Sequence, residues 1–154
     1  MERLKCVIRP KRSGEESMLL LFAEESLRPL AEAAGHPERY HSEDLLALLK
    51  RAEVYVADAD GEIAGYVVVE TEPADERLAV RCLCLNPAHE TQAVAHQLLD
   101  WIEGLAFSRR LPRLTASIAA TDQPSRKLYE RHGFVRAKVG ESPDTVLVEK
   151  TLFI

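Results

Sequence analysis

Apolar residues in the first third of the chain recur at spacings of three and four, which is the period of an amphipathic helix. This spacing predicts one helix over about residues 16–34. Pro29 falls inside the run, and we expect it to break or kink the helix, because proline lacks the amide that an α-helix uses. Ser42 is a suitable N-cap for a second, leucine-rich helix.

The period changes to two between residues 54 and 85, where alternating apolar side chains predict three antiparallel strands in a meander. Asp60 and Gly61 mark a tight turn between the first two strands, since glycine adopts a positive φ without strain. A further strand is predicted at residues 4–9, and we expect Pro10 to end it.

Helices and strands alternate in the rest of the chain. An amphipathic helix follows the Asn86–Pro87 loop, and a strand over residues 113–119 comes after it. Thr121 or Asp122 caps the next helix, which Gly133 ends. Two last strands are predicted over residues 134–139 and 145–153. The order of elements predicts a mixed α/β domain with helices on the faces of a central sheet.

The composition is that of an ordinary globular protein. The chain has 154 residues, 46% hydrophobic and 29% charged, which excludes disorder or a coiled coil for the whole and suits a single domain over residues 1–154. With 25 acidic and 20 basic residues the net charge is −5, so we expect no nucleic-acid partner. No apolar run has the length of a membrane span, and the start of the chain lacks the apolar segment of a signal peptide. We therefore expect a soluble cytoplasmic protein that does not bind membranes.

The cysteines do not predict a metal site or a disulfide framework. There are three of them, and Cys82 and Cys84 lie two apart on a predicted strand, where their side chains share a face. A metal site needs further ligands, and neither a Cys-x-x-Cys pair nor a close pair of histidines supplies them. We interpret the two cysteines as buried thiols and predict no bound metal.

The junction between the third meander strand and the long helix is the first candidate for chemistry. Free amides at a helix N-terminus form a site for anions, which the helix dipole assists. The small residues Ala93 and Ala95 would let phosphate groups approach the backbone. The alternative is a plain strand-loop-helix connection, in which small residues serve packing.

A second segment reads Leu128-Tyr129-Glu130 and, after two residues, Gly133-Phe134. This motif lies about forty residues after the Asn86–Pro87 loop. With the order of elements over nearly the whole chain, it resembles the GNAT superfamily of N-acetyltransferases. The resemblance implies a GNAT-like mixed, mostly antiparallel central sheet of six to seven strands, with about four helices on its faces.

The resemblance also implies an activity: transfer of an acetyl group from acetyl-CoA, the co-substrate, to an amine of a small molecule or peptide. Tyr129 is implied as the general acid near the thioester sulfur, although a purely packing role is the alternative. A homodimer is a further arrangement that related domains adopt. The residues implied to bind the cofactor are Leu83, Cys84 and Leu85 along the strand, Glu90, Thr91, Gln92, Ala93, Val94 and Ala95 at the helix start, and Asp122 and Ser125.

The sequence departs from the family pattern at three of these positions. Glu90 puts an anion where a cation is usual, and Ala93 replaces a glycine. Asp122 stands where asparagine is frequent and, unlike asparagine, cannot donate a hydrogen bond. Glu90 and Ala93 favour the alternative function, a catalytically weak or inactive GNAT-fold domain that senses coenzyme A or binds a partner, whereas the retained Tyr129 and Gly133-Phe134 oppose it.

A general base is not evident. The strand over residues 78–85 contains no carboxylate. Glu70, Glu72 and Glu76 are close in sequence, but surface positions are the simpler interpretation for each. An amine that has already lost its proton, or a chain of waters, removes the need for a dedicated base.

Overall fold

The computed structural model describes residues 6–33, 42–120, 122–137 and 145–152. Within this part of the chain there are seven strands and four α-helices. They are β1 (Val7–Pro10), α1 (Glu16–Ala33), α2 (Ser42–Arg51), β2 (Glu53–Ala59), β3 (Glu62–Glu72), β4 (Arg77–Leu85), α3 (Thr91–Ser108), β5 (Arg113–Ala119), α4 (Gln123–Arg131), β6 (Val135–Arg136) and β7 (Thr145–Thr151).

The strands form one seven-stranded sheet in the order β1-β2-β3-β4-β5-β7-β6. β4 and β5 pair in parallel, from Arg77 opposite Arg113 to Val80 opposite Ala116. β7 pairs antiparallel with both β5 and β6, and β1 pairs antiparallel with β2. The predicted fold, a mostly antiparallel sheet with four helices, is therefore confirmed.

Contacts along the backbone divide the chain into two compact units. The first unit is Met1–Val68 with Cys82–Leu98, and the second is Val69–Arg81 with Leu99–Ile154. In the first unit, the fully buried Tyr66 donates its hydroxyl to the carbonyl of Leu19 at 2.8 Å. Its core consists of Leu19, Ala23, Leu45, Leu49, Val54, Val56, Ile63, Tyr66, Val68, Cys82 and Cys84.

Of the two prolines that we expected to interrupt elements, only Pro10 ends one. α1 continues through Pro29 to Ala33, so the prediction of a break is wrong. β1 includes Pro10, opposite Tyr55. Because β1 is at the edge of the sheet, a residue without an amide proton is tolerated there.

The tight turn between β2 and β3 has the predicted geometry. Asp60 and Gly61 both have a positive φ, 53° and 89°, and the amide of Gly61 donates to the side chain of Asp58 at 2.7 Å. Positive φ at both central residues is the hairpin turn that suits the twist of the strands.

The end of the chain is less regular than the sequence predicts. β6 has only two residues instead of the predicted strand over residues 134–139, part of which lies outside the described residues. The predicted strand at residues 4–9 and the candidate cap Thr121 also fall partly or wholly outside them. Among the described helices, none is long and apolar enough to cross a membrane.

Candidate active site

The first turn of α3 presents backbone donors. The amide of Val94 donates to the carbonyl of Glu90 at 3.1 Å, which is the first bond of the helix. The amides of residues 91–93 precede that bond, so they have no acceptor inside the helix. These amides are directed outward at the N-terminus of α3, the positive end of the helix dipole, where an anion such as a phosphate group is stabilised.

The small residues in and next to the first turn of α3 are packed to different degrees. Ala93 is half-buried in the first turn, whereas Ala95 is fully buried and its methyl group packs inside the unit. Gly65 on β3 is packed closely against this junction, because a Cβ at that position would lie 2.9 Å from the Cys84 carbonyl oxygen and 3.0 Å from Val94 Cγ1. The start of α3 is thus fixed tightly against the sheet.

The loop before α3 is anchored by Asn86, whose part in the site the sequence analysis missed. Asn86 is buried, and its side-chain amide donates to the carbonyl of Ile63 at 3.0 Å. Its Oδ1 accepts the amide of Ala88 at 3.0 Å, and its own amide donates to Ala64 at 2.9 Å. The only signal in the sequence was its place before Pro87 at the end of a strand.

His89 forms a second connection between this loop and β3. Its Nε2 is buried and lies 3.2 Å from the Glu62 carboxylate, close enough for an ion pair, although the angle does not make a hydrogen bond. Its backbone amide donates to the Asn86 carbonyl at 3.1 Å. Glu90, in contrast, is exposed.

The end of β4, which the resemblance implies to bind the cofactor, turns successive side chains to opposite faces of the sheet. Cys82 and Cys84 are buried in the core of the first unit with their sulfur atoms 3.2 Å apart, and Leu83 and Leu85 are half-buried. The hydrogen bond with Cys84 and burial raise the pKa of the Cys82 thiol. The interpretation of both cysteines as buried thiols is confirmed, and neither is suited to act as a thiolate nucleophile.

In the second unit, α4 begins with a side-chain cap. Asp122 is buried, and its Oδ1 accepts the amide of Ser125 at 3.1 Å. Pro124 occupies the first turn, where the missing amide costs nothing. Asp122 is therefore the residue that caps the helix, one of the two alternatives that the sequence left open.

The tyrosine motif closes the other end of α4. Tyr129 is buried, and its ring contacts Phe134 edge to face with centroids 5.1 Å apart. Its carbonyl accepts the amides of His132 and Phe134, each at 3.0 Å. Gly133 has a φ of 89°, which lets the chain leave the helix.

Two of the three glutamates considered as a general base are held in ion pairs. Arg81 contacts Glu70 at 3.2 Å and Glu72 at 2.8 Å, and Arg77 contacts Glu72 at 2.9 Å. Glu76 is exposed on the turn before β4. The same arginines line a cleft of about 90 Å³ beside Thr115 and Ser117 on β5.

Comparison with known families identifies the fold and its chemistry. The model of the acetyltransferase (GNAT) family matches residues 19–134. The chain belongs to the GNAT family. It is accordingly an acyltransferase, and acetyl-CoA is its co-substrate. A comparison with curated sequences gives no match.

Solved structures of acetyltransferases share the fold over nearly the whole chain. The PaiA N-acetyltransferase of Thermoplasma acidophilum, in complex with coenzyme A, is 17% identical with a TM-score of 0.78, covering 96% of this chain and 99% of its own. YncA of Salmonella typhimurium, with acetyl-CoA, is 17% identical with a TM-score of 0.71 (96% and 94% covered). The ribosomal-protein-alanine N-acetyltransferase of Brucella melitensis is 20% identical with a TM-score of 0.72 (95% and 99% covered).

Proposed function

We propose that this GNAT enzyme transfers the acetyl group of acetyl-CoA directly to the amine of a small molecule or peptide. The observation that carries the proposal is the first turn of α3, whose amides at residues 91–93 have no acceptor in the helix. A row of backbone donors at a helix N-terminus fits a pyrophosphate, because each amide donates to an anionic oxygen.

We assign the pantetheine arm of the cofactor to the end of β4 and the start of α4. The backbone of Leu83, Cys84 and Leu85 would hydrogen-bond the pantetheine arm, since Cys84 itself turns its side chain into the core. Asp122 and Ser125 would contact the arm from α4. Oδ1 of Asp122 already accepts the Ser125 amide. A pantetheine N–H would donate to one of the acceptor positions that remain on the carboxylate oxygens.

The chemistry needs one proton donor and little else from the protein. When bound, acetyl-CoA supplies a thioester, whose carbonyl carbon the amine attacks with its lone pair as the carbon–sulfur bond breaks. Tyr129 donates the phenol proton to the departing sulfur and is reprotonated from solvent. A phenol is protonated at neutral pH, so it suits this task.

The proton of the amine is lost without a dedicated carboxylate base. Glu70 and Glu72 are engaged by Arg81, and the remaining candidate, Glu76, is exposed. We therefore assign both protons that the nitrogen loses to solvent: the ammonium proton leaves before the attack, and a second proton leaves after the nitrogen has bonded to the carbonyl carbon.

The decisive experiment combines titration and kinetics. Calorimetric titration with acetyl-CoA should show binding, and a screen of amines that follows release of free CoA should identify an acceptor. With that acceptor, initial rates at varied concentrations of both substrates should give intersecting reciprocal plots, as direct transfer requires. Parallel plots would indicate an acetylated enzyme, and absence of binding at millimolar acetyl-CoA would overturn the proposal.

A further inference from the structure

The segment that leads into α3 is poor in positive charge, although the site proposed at that helix start receives phosphates. From Asn86 to Ala95 the sequence contains no lysine or arginine, and its one carboxylate, Glu90, is exposed. His89, two residues before the helix, is the one side chain of this segment that can become cationic. The charge state of His89 therefore matters for an anion at the first turn of α3.

His89 contacts the carboxylate of Glu62, at the start of β3. Its Nε2 is buried and lies 3.2 Å from Oε1 of Glu62, while the side chains are 13% and 63% exposed. A lone pair on Nε2 would be repelled by a carboxylate oxygen at that distance, so Nε2 carries a proton. No hydrogen bond forms, but the attraction between an imidazolium and a carboxylate does not require a linear angle. The contact therefore suits a charged histidine.

The carboxylates around His89 differ in how their charges are compensated. Asp58, which precedes the turn into β3, is bound by Arg9 at 3.0 Å. Glu62 has no arginine or lysine of this kind: within the described residues, its ion pair is with His89. Glu90, the next residue after His89, is exposed. Loss of the proton from His89 thus leaves the charge of Glu62 uncompensated beside the loop that begins α3.

We propose that His89 is a positioning residue of the cofactor site: when protonated it cancels the charge of Glu62, so that the phosphates of acetyl-CoA bind at the first turn of α3 without that repulsion. The inference rests on the proposed function, because it takes this turn as the phosphate site. The backbone amide of His89 also donates to the Asn86 carbonyl at 3.1 Å. A substitution of the side chain leaves that bond available, so the electrostatic role can be tested separately.

The sign of the expected pH dependence follows from the charges of the pair. With His89 protonated the pair is neutral, and with His89 neutral it carries one negative charge. Affinity for acetyl-CoA therefore falls as the pH rises through the range in which histidine loses its proton. The 3′-phosphate of coenzyme A titrates in the same range, since the second pKa of a phosphate monoester is about 6. Comparison of variants at each pH removes this contribution, because it is common to all of them.

The test is calorimetric titration of the full chain with acetyl-CoA at about pH 5.5 and about pH 8.5, on either side of the ordinary histidine pKa. At the lower pH we expect His89→Gln to raise the dissociation constant about fivefold relative to wild type, from the Coulomb energy of one partly screened charge. At the higher pH the two dissociation constants should agree within about twofold, because the wild-type histidine is then also uncharged.

Two further variants test the pairing with Glu62. The double variant His89→Gln/Glu62→Gln should recover the wild-type affinity at the lower pH, because the pair is again neutral. Glu62→Gln alone changes a well-exposed side chain and is not expected to disturb the fold. At the higher pH it should lower the dissociation constant about fivefold, since it removes the uncompensated anion. A histidine that served only the packing of the loop would give neither the rescue nor this gain.

His132→Gln is the matched control, because it changes another half-buried histidine, at the end of α4. It should keep the wild-type dissociation constant at both pH values. An effect of His89→Gln that is equal at both pH values, or that persists in the double variant, would overturn the inference alone. Absence of acetyl-CoA binding in the wild type at both pH values would overturn the proposed function, and this inference with it.

Discussion

The helices α3 and α4 begin in comparable places but are closed in different ways. Each follows a strand, and each has an acidic residue just before its first helical residue, Glu90 for α3 and Asp122 for α4. Asp122 is buried and accepts the amide of Ser125 at 3.1 Å, so its carboxylate belongs to the helix. Glu90 is exposed, and the anchor of the α3 loop is Asn86, which lies outside the helix altogether.

A helix can be held in place by its loop, as α3 is, without any side chain accepting the free amides of its first turn, as Asp122 does in α4. Asn86 fixes the loop through the carbonyl of Ile63 and the amide of Ala88, and neither bond uses an amide of the first turn of α3. The amides of the first turn of α3 are therefore not used by this anchor, as the proposed cofactor site requires. In α4, by contrast, the N-cap Asp122 itself accepts an amide of the first turn. We therefore expect α4 to serve mainly in positioning Tyr129. We expect substitutions near α3 to change binding and substitutions in α4 to change chemistry or stability.

The largest expected effect is that of Tyr129→Phe. The change removes the hydroxyl and keeps the ring that packs against Phe134. We expect kcat to fall about 100-fold, the low end for loss of a general acid, with little change in the dissociation constant of acetyl-CoA. Steady-state kinetics and calorimetry measure the two quantities. Tyr55→Phe, which removes a hydroxyl that donates to Glu53, is the matched control and should retain full kcat. Full kcat in Tyr129→Phe would assign the tyrosine to packing alone.

Asn86→Leu tests whether the α3 loop is held from outside the helix. The substitution leaves the buried Ile63 carbonyl without its donor and also removes the acceptor of the Ala88 amide. We expect the free energy of unfolding to fall by about 2 kcal/mol, since an unsatisfied buried group costs about 1–3 kcal/mol. The dissociation constant of acetyl-CoA should rise in the folded variant. Glu90→Ala, in the same loop, is the control and should not change the unfolding free energy. An unchanged cofactor affinity in folded Asn86→Leu would contradict the positioning role.

Glu90→Arg tests whether the exposed carboxylate opposes the cofactor. Replacing an anion by a cation at the positive end of α3 should lower the dissociation constant of acetyl-CoA about tenfold, from Coulomb energies of about 1 kcal/mol or more near a surface. Added salt should reduce the gain, because the charges are exposed to screening. Titrations at low and high salt measure both effects. An unchanged dissociation constant at low salt would mean that Glu90 faces away from the phosphates.

The sequence predicts regular elements well because their signals are local. The turn at Asp60 and Gly61 and the strand β5 follow directly from residue type and period. α1 does not break at Pro29, because one proline removes a single hydrogen bond and the rest of the helix continues on both sides of it. A strand at β6 was predicted, but its bounds were not, because a strand of two residues has no period to read.

The site was predictable only in part. The motif from Leu128 to Phe134 indicated the family, and the family model confirms it. The anchor Asn86 and the pairing of Arg81 with Glu70 and Glu72 depend on contacts between residues 9 to 23 positions apart. Local patterns carry no information on which carbonyl or carboxylate such a side chain will meet.

The smallest expected effect is on stability, from the cap of α4. Asp122→Ala removes the acceptor of the Ser125 amide, and loss of a helix cap costs about 1 kcal/mol. Denaturant unfolding measures that loss, and Asp122→Asn should recover it because the asparagine oxygen accepts the same amide. Asp122→Asn also supplies a donor that the carboxylate lacks. If Asp122 contacts pantetheine as proposed, the two variants will differ in acetyl-CoA affinity as well as in stability. Equal acetyl-CoA affinities in the two variants would mean that Asp122 only caps the helix. Tyr129 would then be the one residue of α4 that takes part in the proposed reaction.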